Sequence, residues 1–446
     1  MWRKDSRGYK RGRVPEPRVG AMMAAKSWLV GQVEICMKLL LSSVIACMVS
    51  LPIANSAQTP SPVPSDSAAV VDGNNAFAVE LYNHLKSHSG NLFFSPVSVS
   101  TALAMAYAGA RGDTAAEMEK TLHFTLPPER LHPAMGALLN DLNATHNGYQ
   151  LRVANALWAQ QGYVFRSDFL KLTQSDYGAG FYPVDFAGAT EKARLTINQW
   201  TAQKTEDKIT DLLRPGILIP TTKLVLTNAI YFKSDWQAKF DPEANREEDF
   251  HLAPAHAVKA LLMNRAGGYH YFNGGAFQIL DIPYRSGESS MIVLLPNDKD
   301  GLPALEQSLT PSNLRQWLSQ LKPVPRVLVT IPKFKTTEQF ELQGTLGAMG
   351  MHKAFHGTDA DFSGMTDKRE FSISAVIHKA FIDVTEEGTE AAAATAVMMM
   401  EMAVRPPDRS LPPPIIFRAD HPFVFLIRDN RSGSILFMGR VTDPTK

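Results

Sequence analysis

Residues 375–410 read AVIHKAFIDVTEEGTEAAAATAVMMMEMAVRPPDRS. The first eleven, Ala375–Thr385, are rich in β-branched and aromatic residues and have strand length. Gly388 then opens a run of small residues, followed by methionines, prolines and charge, before Ile415–Phe417 returns to strand character. Two readings are open on composition: an Ala-rich helix with a linker, or a long functional loop. A connection of about thirty residues inside a compact domain is rare and is usually functional. These side chains are small enough to enter a sheet.

Working outward, Leu224–Phe232, Met291–Leu295, Val327–Ile331, Phe423–Ile427 and Ile435–Val441 also read as strands. The last two flank the turn-forming Asp429-Asn430-Arg431-Ser432-Gly433, which predicts an antiparallel C-terminal hairpin. Helical signals gather earlier in the chain. Phe77, Leu81 and Leu85 recur every four residues, an Ala-rich helix follows Pro96, and Asp113–Glu117 carries a capping-box signal. Helices first and strands later predict an α+β domain.

The N-terminus reads differently. Segment 1–36 is basic and irregular, and Met37-Lys38 opens an uncharged run from Leu39 to Ala57 that ends in small residues. This is the pattern of a signal peptide over 37–57, with 1–36 as a mis-assigned start; a membrane or lipid anchor through the leader is the competing reading. Residues 58–73, rich in Pro, Ser and small residues, read as a flexible linker, with the folded domain over 74–446. The expected location is outside the cell, extracellular or periplasmic.

Of 446 residues, 45 are Lys or Arg and 44 Asp or Glu. Removing the nine basic and three acidic residues of 1–57 leaves 36 against 41, a net charge of −5. No nucleic acid or heparin-like polyanion is expected as a partner, since either needs a clustered basic face. Both cysteines, Cys36 and Cys47, lie in the leader, which excludes a disulfide framework and cysteine-rich metal sites. The sequence lacks G-x-S-x-G, H-E-x-x-H, G-x-x-x-x-G-K and G-x-G-x-x-G, and its histidines are scattered. No enzymatic activity, cofactor or metal is expected.

Four separated motifs carry a resemblance. They are Asn91-Leu92-Phe93-Phe94-Ser95-Pro96-Val97-Ser98; Leu226-Thr227-Asn228-Ala229-Ile230-Tyr231-Phe232-Lys233 with Trp236; Ile377-His378-Lys379-Ala380 with Glu386-Glu387-Gly388-Thr389-Glu390-Ala391; and Asp420-His421-Pro422-Phe423 through Gly439-Arg440-Val441. In this order and spacing, over essentially all of 74–446, the sequence resembles the serpins, a family of serine protease inhibitors. The wording of the C-terminal part is nearer to prokaryotic members than to vertebrate plasma ones.

The resemblance implies the serpin fold, with three β-sheets, eight or nine helices and an exposed reactive-centre loop. It implies a suicide inhibitor whose cut loop inserts into the central sheet as an extra strand. The hinge would be Glu386, Gly388, Thr389, Glu390, Ala391, Ala392, Ala393 and Ala394. By family register Thr389, Ala391, Ala393, Thr395 and Val397 enter the interior and Glu390 stays outside. Counting from Gly388 puts the reactive bond at Met402-Ala403, with a shift of one or two places open. An unbranched apolar residue there suits a serine protease of elastase-, chymotrypsin- or subtilisin-like specificity. The family's shutter maps onto Ser95, Ser98, Asn228 and His378, and its breach onto Trp236, Lys333 and Glu386. The alternative is a non-inhibitory serpin that acts as a binding or chaperone protein. A monomer is expected in either case.

Overall fold

The computed structural model describes residues 64–144, 149–178, 180–368, 371–389 and 413–446. The leader, residues 58–63, Glu390, Ala391–Ala394, Met402 and Ala403 lie outside these. The first half of the described chain runs α1 (Pro64–Leu85), β1 (Leu92–Phe94), α2 (Pro96–Tyr107), α3 (Gly112–Thr121), α4 (Pro128–Asn143), β2 (Gln150–Gln160), α5 (Ser167–Tyr177), β3 (Gly180–Val184), α6 (Thr190–Lys204), β4 (Leu224–Asp235), β5 (Arg246–Ala253), β6 (His256–Asn273), β7 (Phe277–Pro283) and β8 (Ser289–Pro296). There follow α7 (Leu302–Ser308), α8 (Pro311–Ser319), β9 (Lys322–Pro332), β10 (Phe334–Glu341), α9 (Gln343–Ala348), β11 (Ile373–Val384), β12 (Gly388–Thr389), β13 (Ile415–Arg418), β14 (Phe423–Asp429) and β15 (Ile435–Val441).

One sheet has the order β10-β11-β12-β4-β2-β3. The other runs β1-β15-β14-β8-β7-β6-β9-β13, with β5 on β6. The second and third sheets of the expectation are thus hydrogen-bonded into one. The cause is β6, 18 residues long, which pairs with β9 along Leu262–Tyr271 and with β7 along His270–Asn273. Its register shifts between Gly267 and Tyr269, where the strand passes from one part to the other.

Between the two sheets lies α2, all twelve of whose residues are buried. Its sequence, PVSVSTALAMAY, has no polar stripe to give to water, so only a position inside the protein suits it. β14 and β15 are buried along almost their whole length. The turn between them is closed by Asp429, whose carboxylate accepts from the amide and hydroxyl of Ser432, and by Gly433 at φ +80°.

Two local expectations change. The linker expected over 58–73 does not extend to 73, because α1 begins at Pro64: Val70 and Val71 join the core and Asp66 receives Arg130 Nε at 3.1 Å. Helix α3 starts at Gly112 rather than at an Asp113 cap, and Asp113 instead pairs with Lys353. Phe77, Leu81 and Leu85 are buried as their spacing predicts. No helix among the described residues is long and apolar enough to cross a membrane.

Candidate functional site

The six-stranded sheet contains an unusual seam. Strands β4 and β11 pair directly and in parallel from Ile373 opposite Leu224 to Phe381 opposite Tyr231. Above that point they part, and the two residues of β12 lie between them, Thr389 opposite Val384 on one side and Ser234 on the other. Gly388 and Thr389 start a strand that goes no further among the described residues.

The closed part is crossed by a row of polar side chains. Register places Asn155 of β2 beside Asn228 of β4, and Asn228 beside His378 of β11. Under them sits the N-terminus of α2. The Ser95 amide donates to His378 Nε2 at 3.0 Å, so that nitrogen is the acceptor and the proton sits on Nδ1, which donates to Asn228 Oδ1. Asn228 Nδ2 donates to Ser98 Oγ at 2.6 Å and to Asn155 Oδ1 at 2.5 Å. Ser98 Oγ in turn donates to Asn155 Oδ1 at 2.9 Å, and Asn155 Nδ2 to the Ser98 carbonyl at 3.0 Å. Ser95 Oγ donates to the Leu436 carbonyl at 2.6 Å, which ties this network to the second sheet. Ser95, Ser98, Asn228 and His378 are all fully buried. Burial pushes the His378 pKa down to about 3, against the opposing hydrogen bond with Asn228, so the ring is neutral at pH 7. The structure therefore brings the four shutter candidates together. Asn155 completes them and was missed, although an Asn in the strand sequence QLRVANALW is a usable signal.

At the top of the seam the breach candidates also meet. Lys333 Nζ lies 3.0 Å from Glu386 Oε2, and Asn245 Nδ2 donates to Glu386 Oε1 at 2.6 Å. Burial alone would raise the Glu386 pKa, but hydrogen bonds from its own backbone amide, Lys333 and Asn245 hold it below the usual carboxylate range. Trp236 Nε1 donates to the Thr385 carbonyl at 2.9 Å, and its amide to the Glu387 carbonyl at 2.8 Å. The Trp236 ring stacks on Tyr284, 4.6 Å between centroids, and the Tyr284 hydroxyl lies 2.6 Å from Thr389 Oγ1. Gly388 has φ +155°, and a Cβ there would lie 2.1 Å from the Ser234 carbonyl oxygen; only glycine fits the entry to the slot. Tyr284, Asn245 and the Lys239–Glu387 pair were not foreseen, because only tertiary packing brings them to the hinge.

A further clamp lies on the opposite face. Lys379 of β11 pairs with Asp211, and Gln339 of β10 donates to the Leu212 carbonyl at 3.1 Å. From helix α6, Asn198 holds Leu213 by its amide at 2.7 Å and its carbonyl at 2.9 Å, and Arg194 reaches the same carbonyl at 2.8 Å. Residues 211–213 are thus fastened both to α6 and to the two strands β10 and β11. Among the described residues no group of three or more His, Cys, Asp or Glu is placed to hold a metal ion.

Comparison with known proteins places this sheet and its polar row in a family. The family model described as Serpin (serine protease inhibitor) matches residues 72–444. The chain belongs to the serpin family. It is similar to the leukocyte elastase inhibitor of Equus caballus, 42% identical over 383 residues that cover 83% of this chain and 98% of that protein. The human leukocyte elastase inhibitor is 41% identical over 380 residues, with the same coverage. Among solved structures, uncleaved ovalbumin superposes with a TM-score of 0.76 at 28% identity, covering 84% of this chain and all of that one. Serpin48 of the insect Tenebrio molitor gives 0.75 at 34% identity, covering 84% and 98%.

Proposed function

We propose that this protein inhibits serine proteases by suicide trapping. A protease attacks the segment after Thr389, and the cut segment enters the seam between β4 and β11. The observation that carries this reading is the seam itself, closed from Ile373 to Phe381 and already wedged at its upper end by Gly388 and Thr389. Insertion of about fifteen residues at roughly 0.5–1.5 kcal/mol net per hydrogen bond supplies a driving force on the order of 10 kcal/mol. A kinetic barrier, not equilibrium, keeps the loop outside. The barrier includes breaking the bond between Asn228 and His378, which spans the seam.

The target is a serine protease of elastase-, chymotrypsin- or subtilisin-like specificity, cutting at Met402-Ala403. The names of the mammalian relatives, which are elastase inhibitors, support this choice. The inward set Thr389, Ala391, Ala393, Thr395 and Val397 holds no charge, which favours inhibition over a binding or chaperone role. The protein acts outside the cell after removal of 37–57; this part rests on the leader sequence, and N-terminal sequencing of the mature protein tests it. Incubation with elastase, chymotrypsin, subtilisin and trypsin, followed by denaturing electrophoresis, tests inhibition. A resistant band at the summed mass is expected with at least one apolar-specific protease. Cleavage by all of them without such a band favours the non-inhibitory role.

A further inference from the structure

Opening the seam leaves its polar gate with a deficit. In the closed sheet His378 Nδ1 donates to Asn228 Oδ1 across the seam. A strand entering there moves β4 and β11 apart by about 4.8 Å, which breaks that bond. Both side chains are wholly buried, so a donor and an acceptor lose their partners away from water. Such a loss is costly unless the entering strand answers it.

The register of β12 gives the residue that arrives at this point. Thr389 lies opposite Ser234 on β4 and Val384 on β11, antiparallel to both. Residues 390–412 lie outside the described residues, but each further residue of an antiparallel strand moves its partner back by one on either side. Ala391 would then enter between Phe232 and Ile382, Ala393 between Ile230 and Ala380, Thr395 between Asn228 and His378, and Val397 between Leu226 and Val376. Both counts reach Asn228 and His378 together, and these two are already partners in the closed seam, so the seam opens without slipping. Residues directly opposite share a face of the sheet. The partners of Ala391, Ala393 and Val397 are all apolar and buried. Thr395 alone of these four brings a polar side chain, and it alone meets a polar pair.

We infer that Thr395 takes over the gate. In the inserted state its Oγ1 accepts from His378 Nδ1 and donates to Asn228 Oδ1, so two hydrogen bonds through the hydroxyl replace the one that spans the closed seam. A hydroxyl can donate and accept at once. The Ser95 amide, which donates to His378 Nε2 at 3.0 Å, keeps the ring proton on Nδ1. Thr395 is thus a positioning residue: it acts on Asn228 and His378 and touches no part of the protease's chemistry. The inference rests on the strand-insertion reading of function given above.

Two variants test it. Thr395→Val removes the hydroxyl and keeps the branched shape, and Thr395→Ser keeps the hydroxyl. Each variant and the parent are cut once in the loop, at a bond located by mass spectrometry, and unfolded in guanidinium chloride beside the uncut form. The uncut proteins should unfold together, which also shows that the variants fold. After the cut, the parent and Thr395→Ser should gain alike, and Thr395→Val should unfold about 0.3 M earlier. In protein carrying isotope-labelled histidine, the Nδ1 proton resonance that His378→Gln lacks should persist in the cut parent and in cut Thr395→Ser, and vanish in cut Thr395→Val. The ratio of cleaved to trapped inhibitor should at least double for Thr395→Val alone. A Thr395→Val protein that gains as much as the parent, or keeps the Nδ1 resonance after cutting, overturns the inference and leaves insertion standing; so does a Thr395→Ser protein that behaves like Thr395→Val. If the parent itself gains nothing on cutting, insertion fails and the inference falls with it.

Discussion

The hydroxyl of Tyr284 lies 2.6 Å from Thr389 Oγ1, and both side chains are buried, so the first threonine of the loop already occupies an interior position. A charge at this point has no water to stay in. Thr389→Arg should place a guanidinium in a desolvated slot at a cost of several kcal/mol and slow insertion, while the bait sequence stays unchanged. The variant should be cut at the parent's bond and release active protease. Glu390→Arg is the control, since family register points that side chain outward. The ratio of trapped to cleaved inhibitor, read from gel band intensities, checks this: it should fall sharply for Thr389→Arg alone, and equal ratios would refute the inward register.

A second prediction concerns acid. His378 is neutral in the folded protein with a pKa near 3, whereas an unfolded histidine titrates near 6.5. Below pH 6.5 the unfolded state therefore binds a proton that the folded state does not, so stability falls as pH falls from about 6.5 toward 3. The slope from this one group reaches about 1.4 kcal/mol per pH unit. His132, held near 4 chiefly by burial, adds to the same trend. Denaturant melts between pH 7 and 4.5 should show the fall, and His378→Gln should flatten it by about one proton. An identical pH slope in that variant would show that His378 is not held neutral.

The clamp over residues 211–213 gives a third. The Lys379 side chain is 9% exposed and that of its partner Asp211 is 71% exposed. Asp211→Ala leaves a buried ammonium with its carboxylate partner gone, whereas Lys379→Met removes the buried charge and keeps much of the volume. Asp211→Ala should destabilise the native state by roughly 1–3 kcal/mol, and Lys379→Met by less. Both should raise hydrogen exchange in residues 205–215. The order of the two unfolding midpoints checks the argument, and the reverse order counts against a buried charge held by Asp211.

Part of this arrangement was legible in the chain. Strands β4, β8, β9, β11, β13, β14 and β15 follow β-branched and aromatic runs, and the amphipathic face of α1 follows its periodicity, whereas β2, β3, β5, β6, β7 and β10 were not read. The shutter and breach candidates came from the family resemblance, Lys333 from outside its quoted motifs. What was not legible depends on contacts made at long range. Helix α1 extends back to Pro64 because Val70 and Val71 find a core, which the small and polar composition of 58–73 does not reveal. Tyr284 enters the site by ring stacking, which nothing in the sequence marks, and Asn155 enters by sheet register, marked only as a polar residue within a strand. The two sheets expected as separate are one because a single strand, β6, is long enough to serve both.

Target choice should lie mainly in Met402. The residue before the scissile bond fills the protease's specificity pocket, so Met402→Arg should lower association with elastase- or chymotrypsin-like enzymes and create inhibition of trypsin-like ones. Mass spectrometry of the released C-terminal peptide locates the bond. A cut after Arg409 would place the reactive bond elsewhere.

The seam between β4 and β11 is the centre of the account, and the melting temperature before and after a single cut in the loop tests it most directly. If the freed segment enters the seam as a full strand, a gain on the order of 10 kcal/mol should raise the transition by at least roughly 10 °C. A transition that is unchanged or lower after cleavage would contradict loop insertion, and with it the metastable trap.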